Sequence, residues 1–312
     1  MSAVPVVGRF APTPSGRLHL GNIACAMLAW VSAKAQGGKC LLRIEDIDLP
    51  RCPSRLTQAM LRDIEWLGIP FDGPLLIQSE RGAVYEEALG RLRAQGLIYP
   101  CFCTRAQLMA SAALAPNLGD TQVVYRGTCA RLTGAEIEAL SRTRKPALRV
   151  RVEEREVTVA DRVQGNFAEN LARDCGDFIV RRSDGLWGYQ LAAVVDDALT
   201  GVTEVVRGRD ILSSTPRQMY LLEKLGAPIP TYAHIPLLMD SQGRRLAKRD
   251  GDLCLDSLAK RFTPEAIFGA LACAYGLRET PAPVSLEKLA EDFTWDKVKR
   301  EDVRRPESLT IS

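Results

Sequence analysis

Pro12-Thr13-Pro14-Ser15-Gly16-Arg17-Leu18-His19-Leu20-Gly21-Asn22 decides how this chain folds. A short apolar run, Val4 to Phe10, precedes it, and a helical pattern from Ile23 to Ala35 follows. Strand, Pro/Gly-rich turn and helix in that order make a phosphate site. The turn aims backbone N–H groups inward, and the helix N-terminus adds roughly half a positive charge. His19, one of only two histidines, stands just before the helix, and Asn22 reads as its N-cap. Far downstream lies a second basic turn, Gly243-Arg244-Arg245-Leu246-Ala247-Lys248-Arg249-Asp250-Gly251. Two such elements can hold a triphosphate from both sides. Residues 244–262 carry six Lys/Arg against three Asp, which a solvated surface also shows. The loop context points instead to phosphate contact.

Strand and helix alternate outward from this turn. Cys40–Ile44 reads as a strand. Ser54–Leu67 reads as an amphipathic helix with Leu56, Met60, Ile64 and Leu67 on one face and Gly68 at its end. A further helix spans about Arg81 to Gln95. The alternation predicts an α/β fold with a Rossmann-type parallel sheet, ligands sitting at the strands' carboxyl ends near Arg9 and Glu45. Residues 1–97 form its first half and 173–240 its second, split by an α+β insertion over 98–172. The insertion holds a capping-box helix start at Thr133/Glu136 and a β-rich stretch at Ala147–Val152. In the second half, Asp177–Arg182, Leu186–Ala193 and Val202–Val206 read as strands, with a helix near Ser214–Leu225. Residues 241–312 carry the basic loop and a short helical region, in which Thr263 caps a helix that Gly276 stops.

With 312 residues, 46% hydrophobic and 25% charged, the chain has ordinary globular composition and can bury a substantial core. The N-terminus shows no secretory pattern, and no apolar run is long enough for a membrane span. Net charge of +3 does not by itself announce a nucleic-acid binder. Nine cysteines, odd in number and unevenly spread, fit a reducing, cytoplasmic compartment. Cys25, Cys40, Cys52, Cys175, Cys254 and Cys273 read as buried thiols. Cys101-Phe102-Cys103, followed by Tyr125-Arg126-Gly127-Thr128-Cys129, is the metal candidate, reduced thiols on a turn being the alternative. Three thiolates suit Zn²⁺, a closed structural site needs a fourth ligand, and no histidine lies nearby in sequence.

Together these residues carry a resemblance. Ala11–Asn22 resembles the HIGH-type signature of class I aminoacyl-tRNA synthetases, and Arg244–Asp250 sits where that class carries its KMSKS-type loop. Leu42–Asp48 and Val205–Leu212 resemble the glutamate branch of the class. The similarity covers nearly the whole chain up to about residue 265. It implies ATP-dependent activation of L-glutamate, with Mg²⁺ expected, and a tRNA partner. His19 and Lys248 would be catalytic: His19 donates a hydrogen bond to the triphosphate and Lys248 neutralises the departing pyrophosphate. Gly21 and Asn22 would complete the ATP site. Ala247 departs from the family pattern, where serine is common.

For the amino acid, the resemblance implies Arg9 and Arg207 for carboxylates, Glu45 for the α-ammonium group and Tyr189 in the wall, beside Phe10, Ala11, Pro12 and Thr13. Arginine's planar fork binds both oxygens of a carboxylate. The glutamine-specific relatives lack an arginine at the position of Arg207. A neutral amide would leave a buried cation unpaired, at several kcal/mol, so the resemblance favours glutamate.

The stretch after Arg249 is short for the helical anticodon-binding domain of full glutamyl-tRNA synthetases. That shortness, and the C-x-C…Y-x-x-x-C spacing, resemble the glutamyl-Q branch. The branch implies one structural Zn²⁺ on Cys101, Cys103, Tyr125 and Cys129, and transfer of glutamate to the queuosine base at the wobble position of tRNA(Asp). A cytoplasmic monomer is expected. Two other readings stay open at this level: charging of a tRNA 3′ end, and a non-catalytic paralogue that binds glutamate or tRNA.

Overall fold

The computed structural model describes residues 5–110, 124–240, 243 and 254–309. Its first half runs β1 (Val7–Phe10), α1 (Leu20–Ala35), β2 (Lys39–Ile44), α2 (Ser54–Leu67), β3 (Asp72–Ile77) and α3 (Gly82–Ala94). The three strands form a parallel sheet in the order β1-β2-β3, with Val7 beside Lys39 and Phe10 beside Leu42. A crossover helix after each of the first two strands makes this parallel arrangement possible.

Next comes a lobe of β4 (Ile98–Cys101), α4 (Arg105–Ala110), α5 (Gly134–Ser141) and β5 (Ala147–Val150). With β8 (Phe178–Arg181) its strands form an antiparallel sheet, β4-β5-β8. Between β5 and β8 lies a hairpin of β6 (Glu156–Asp161) and β7 (Gly165–Asn170). The second half adds α6 (Tyr189–Leu199), β9 (Glu204–Gly208), α7 (Thr215–Lys224) and β10 (Thr231–Ile235). Here the strand order is β7-β6-β10-β9, and β10 is parallel to both β6 and β9.

The parallel sheet of the first half and the mixed sheet of the second abut at β1 and β9. The Thr203 N–H donates to the Val7 carbonyl over 2.9 Å, and the Val7 N–H donates to Thr203 Oγ1 over 2.9 Å. Beyond this seam the carboxyl ends of β1 and β9 carry Arg9 and Arg207. A crevice at such a junction is where open α/β sheets take their ligands.

Helix α1 is buried on nearly every side, from Leu20 through Ala33, which explains its dense run of Ala and large apolar residues. One side packs on β1, β2 and β9, and another on α9 (Pro264–Ala274) and α10 (Leu286–Glu291). Before α9 comes the short α8 (Leu255–Leu258), and β11 (Leu238–Met239) pairs in parallel with β12 (Val303–Arg304) near the chain's end. Leu286, Leu289, Val298, Val303 and Leu309 are buried in the same core as α1. The C-terminal stretch is therefore part of the nucleotide-type fold's packing.

Three local expectations change. Leu186–Ala193 is not a strand: helix α6 begins at Tyr189, and only Trp187 makes an isolated bridge, to Arg181. A short apolar run fits a buried helix as well as a strand, and here the helix brings Gln190, Asp196 and Asp197 inward. The N-cap of α1 is His19, with Asn22 three residues later completing a capping box. Of the six cysteines read as buried, Cys40 and Cys52 are buried and Cys25, Cys175, Cys254 and Cys273 half-buried. Thr133 and Thr263 cap their helices as the sequence predicts.

Candidate active site

A cleft of about 420 Å³ opens at the seam, within the range of small-ligand sites. Arg9, Phe10, Ala11, Pro12, Thr13, His19, Gly21, Asn22, Glu45, Tyr189 and Arg207 all line it. Residues from β1, its following turn, β2, α6 and β9 thus converge on one cavity. Lys248, with Arg244, Arg245 and Arg249, lies outside the described residues.

His19 is held by its own helix. Its Nδ1 accepts the Gly21 N–H at 3.1 Å, and its backbone N–H donates to Asn22 Oδ1 at 3.3 Å. An accepting Nδ1 makes Nε2 the protonated nitrogen of the neutral ring, a donor suited to an anion. A Cβ on Gly21 would sit 3.0 Å from both Cε1 and Nδ1 of His19, so any larger residue there would press on the ring where it folds back onto the helix. The preceding turn is fixed by Asp63 of α2, which accepts from Arg17 Nε at 2.9 Å and from the Leu18 N–H at 3.2 Å.

The floor of the cleft is a buried charge network. Arg9 Nε donates to Asp197 Oδ1 at 3.2 Å, and its Nη1 to the Val206 carbonyl at 3.3 Å. Arg43 reaches the same Asp197 oxygen at 2.5 Å and Glu45 Oε1 at 2.9 Å. All four side chains are buried. Burial alone would raise the carboxyl pKa of Asp197, but Arg43 and Arg9 hold it below the ordinary value. At Glu45 burial wins over the two arginines, and its pKa is raised. Glu45 therefore carries its charge at a cost that an arriving cation relieves.

Arg207 is gripped more completely. Its Nε donates to His234 Nε2 at 3.0 Å, and its Nη2 to Thr215 Oγ1 at 2.7 Å. Its Nη1 donates to Gln218 Oε1 at 2.7 Å and to Tyr189 Oη at 3.3 Å. Behind α6, Asp196 accepts from Arg81 at 2.6 Å, Gln78 at 2.7 Å and Tyr85 at 2.8 Å, which fixes the helix that presents Tyr189 and Asp197. Sequence reasoning missed Arg43, Asp161, Asp196, Asp197 and His234. The one available signal was charged or polar residues inside otherwise apolar strands and helices, since such residues stay buried only when partnered.

At the Cys-bearing lobe, the sulfurs of Cys101, Cys103 and Cys129 lie within 4.8 Å of one another. Tyr125 Oη is 3.5 Å from Cys101 Sγ and 3.8 Å from Cys103 Sγ, and it accepts the Cys129 N–H at 2.8 Å. Thiolates at about 2.3 Å from a tetrahedral Zn²⁺ stand roughly 3.8 Å apart. Cys103 and Cys129, 3.5 Å apart, match that edge, so the donor set fits a metal ion. The Arg149 guanidinium stacks 3.8 Å from the Tyr125 ring centroid and orients it.

Residues 5–289 match the family of tRNA synthetases class I (E and Q), catalytic domain. The chain is 46% identical to a Symbiobacterium thermophilum protein named glutamyl-Q tRNA(Asp) synthetase, over 96% of this chain and 95% of that one. A Nocardia farcinica protein of the same name is 43% identical over 94% of this chain and 91% of its own length. Among solved structures, a glutamate tRNA ligase from Elizabethkingia meningosepticum in complex with its amino acid superposes with a TM-score of 0.83 at 26% identity. That match covers 98% of this chain and 68% of the ligase.

Proposed function

The chain belongs to the class I tRNA synthetases of the glutamate and glutamine type, a ligase family, and from that membership we propose that it glutamylates queuosine in tRNA(Asp). In the first step an α-carboxylate oxygen of L-glutamate attacks the α-phosphorus of ATP, the bond to pyrophosphate breaks, and glutamyl-adenylate forms without tRNA. A queuosine hydroxyl then attacks the acyl carbon and gives up its proton, and AMP leaves with the bonding electrons. Mg²⁺ supplies charge neutralisation on the phosphates. His19 Nε2–H donates to the triphosphate, Lys248 neutralises pyrophosphate, and Gly21 and Asn22 complete the nucleotide site. Glu45 pairs with the α-ammonium group, while Arg9, Arg207 and Tyr189 receive carboxylate oxygens.

The observation that carries this reading is the gathering of Arg9, Glu45, Tyr189 and Arg207 with His19 in one cleft. In-line attack needs little covalent help, so positioning and charge supply the rate. Within residues 98–172 the cysteine-bearing lobe serves as the tRNA-facing insertion, with Zn²⁺ on Cys101, Cys103, Tyr125 and Cys129 holding its fold, while the β6–β7 hairpin belongs to the second half's sheet. No helix among the described residues is long and apolar enough to cross a membrane, which accords with action in the cytoplasm.

Glutamate-dependent exchange of labelled pyrophosphate into ATP, without tRNA, tests the first step. Mass spectrometry of nucleosides from queuosine-containing tRNA incubated with enzyme, ATP and glutamate tests the second. The expected result is exchange followed by a glutamyl-queuosine product that survives removal of the tRNA's 3′ terminus. A label lost with that terminus would reassign the enzyme to 3′-end charging. Glutamate binding without exchange would reduce it to a binding protein.

A further inference from the structure

Asp161, His234 and Arg207 lie on three adjacent strands, β6, β10 and β9, and form a buried row that ends in the cleft wall. Strand pairing places His234 directly beside Arg207 and Tyr232 beside Asp161. His234 is fully buried, with Nδ1 2.6 Å from Asp161 Oδ2 and Nε2 3.0 Å from Arg207 Nε.

Hydrogen-bond polarity fixes the protonation state of the ring. Arginine only donates, so His234 Nε2 accepts and must be bare. The single ring proton then sits on Nδ1 and goes to the Asp161 carboxylate. Asp161 is anchored in turn: its Oδ1 accepts the Val163 and Gln164 N–H groups at 3.0 and 2.8 Å, and both its oxygens accept the His234 N–H at 3.1 Å. Burial and the Arg207 charge push the His234 pKa down to about 4 despite Asp161, so the ring stays neutral in the working pH range.

We propose that Asp161 and His234 are a positioning pair that locks the Arg207 fork for the carboxylate of the amino-acid substrate. The role rests on the reading that Arg207 faces that substrate. Were Nε2 protonated, two donors would meet at 3.0 Å and Arg207 would turn out of register. Thr215 takes Nη2 and itself lies 3.1 Å from His234 Nε2, Gln218 and Tyr189 take Nη1, and among the described residues His234 sets the Nε edge. Neither residue of the pair lines the cleft, so neither touches the substrate. The pair's product is a fixed direction for the remaining donor capacity of Arg207.

The test uses full-length protein in glutamate-dependent pyrophosphate exchange. His234→Phe keeps a ring and removes the acceptor. It should raise the KM for glutamate at least tenfold while changing kcat and the KM for ATP less than threefold. His234→Gln, whose side-chain oxygen can accept from Nε, should return the KM to within about threefold of wild type. Asp161→Asn lets its amide donate to Nδ1 and moves the ring proton to Nε2. It should therefore mimic His234→Phe, yet have little effect on glutamate KM in the His234→Gln background. Imidazole ¹⁵N NMR of the wild type should show Nδ1 protonated and Nε2 bare, with no titration above pH 5.

An Nε2-protonated ring in that spectrum overturns the proposal, whether or not the variants fold. So does a glutamate KM unchanged in a folded His234→Phe or Asp161→Asn protein, or an equal loss of kcat in all variants. Wild-type protein that shows no glutamate-dependent exchange would instead refute the functional reading on which the pair depends.

Discussion

Arg9 of the first strand and Asp197 of helix α6, 188 residues apart in sequence, meet as a buried ion pair at the base of the cleft. Asp197 also receives Arg43, so one carboxylate compensates two guanidinium groups. Removing it would leave two cations in a site from which water is largely excluded. Asp197→Ala is expected to destabilise the protein by about 3–5 kcal/mol. Urea unfolding followed by circular dichroism measures this, and a loss near zero would contradict the pairing. Since Asp197 titrates below the ordinary 3.8, its stabilisation is complete above that value and lost as pH falls through its folded-state pKa.

Glu45 gives the opposite sign. Its folded pKa is raised above 4.5 by burial, more than Arg43 and Arg9 lower it. If its carboxylate pairs with the substrate's ammonium group, glutamate affinity should begin to fall with decreasing pH while ordinary glutamates are still charged. Calorimetric titrations between pH 8 and 5 check this. Glu45→Gln should bind at least tenfold more weakly and show a flat profile over that range.

Gly21→Ala tests the folded-back histidine. The new Cβ meets the imidazole at 3.0 Å, so the ring must give by a few tenths of an ångström and its hydrogen bond from the Gly21 N–H loosens. An approximately tenfold drop in kcat/KM for ATP is expected, equivalent to about 1.4 kcal/mol of transition-state stabilisation. Thermal stability should hold, since alanine favours the helix. Unchanged exchange kinetics would show that the ring's placement does not matter.

The cysteine cluster predicts one bound metal ion per chain. Elemental analysis of Cys103→Ser should show strongly reduced zinc, and Tyr125→Phe should weaken retention against a chelator about 10–100-fold. Both should lower the melting temperature of the lobe. Glutamate activation should survive, because the cluster and the cleft are built on different elements. Zinc-free wild-type protein of unaltered stability would rule the metal site out.

Local signals in the chain read well. The strand–turn–helix around His19, the caps at Thr133 and Thr263, and the glycine stops are set by neighbours a few residues away. The cleft residues were legible because a resemblance supplied their partners. Asp161, Asp197 and His234 were not, since their meaning lies in contacts between distant strands that no local period encodes. Helix α6 was misread for a related reason. Its Leu-Ala-Ala-Val-Val run is apolar on every side, and only the tertiary contacts of Gln190, Asp196 and Asp197 reveal the 3.6-residue turn.

The stretch 241–253 is bounded by two stems that the rest of the molecule ties down. On one side β11 is braced by β12, where the Val303 N–H donates to Leu237 and the Arg305 N–H to Met239, each over 3.0 Å. On the other, Cys254 bridges His19 and the Leu255 N–H donates to Leu18 over 2.8 Å. Both moorings lie at the cleft's own wall, which Leu237 and Leu238 line on one side and His19 on the other. Distant substitutions that slacken either mooring should therefore tax turnover while leaving every substrate contact chemically intact.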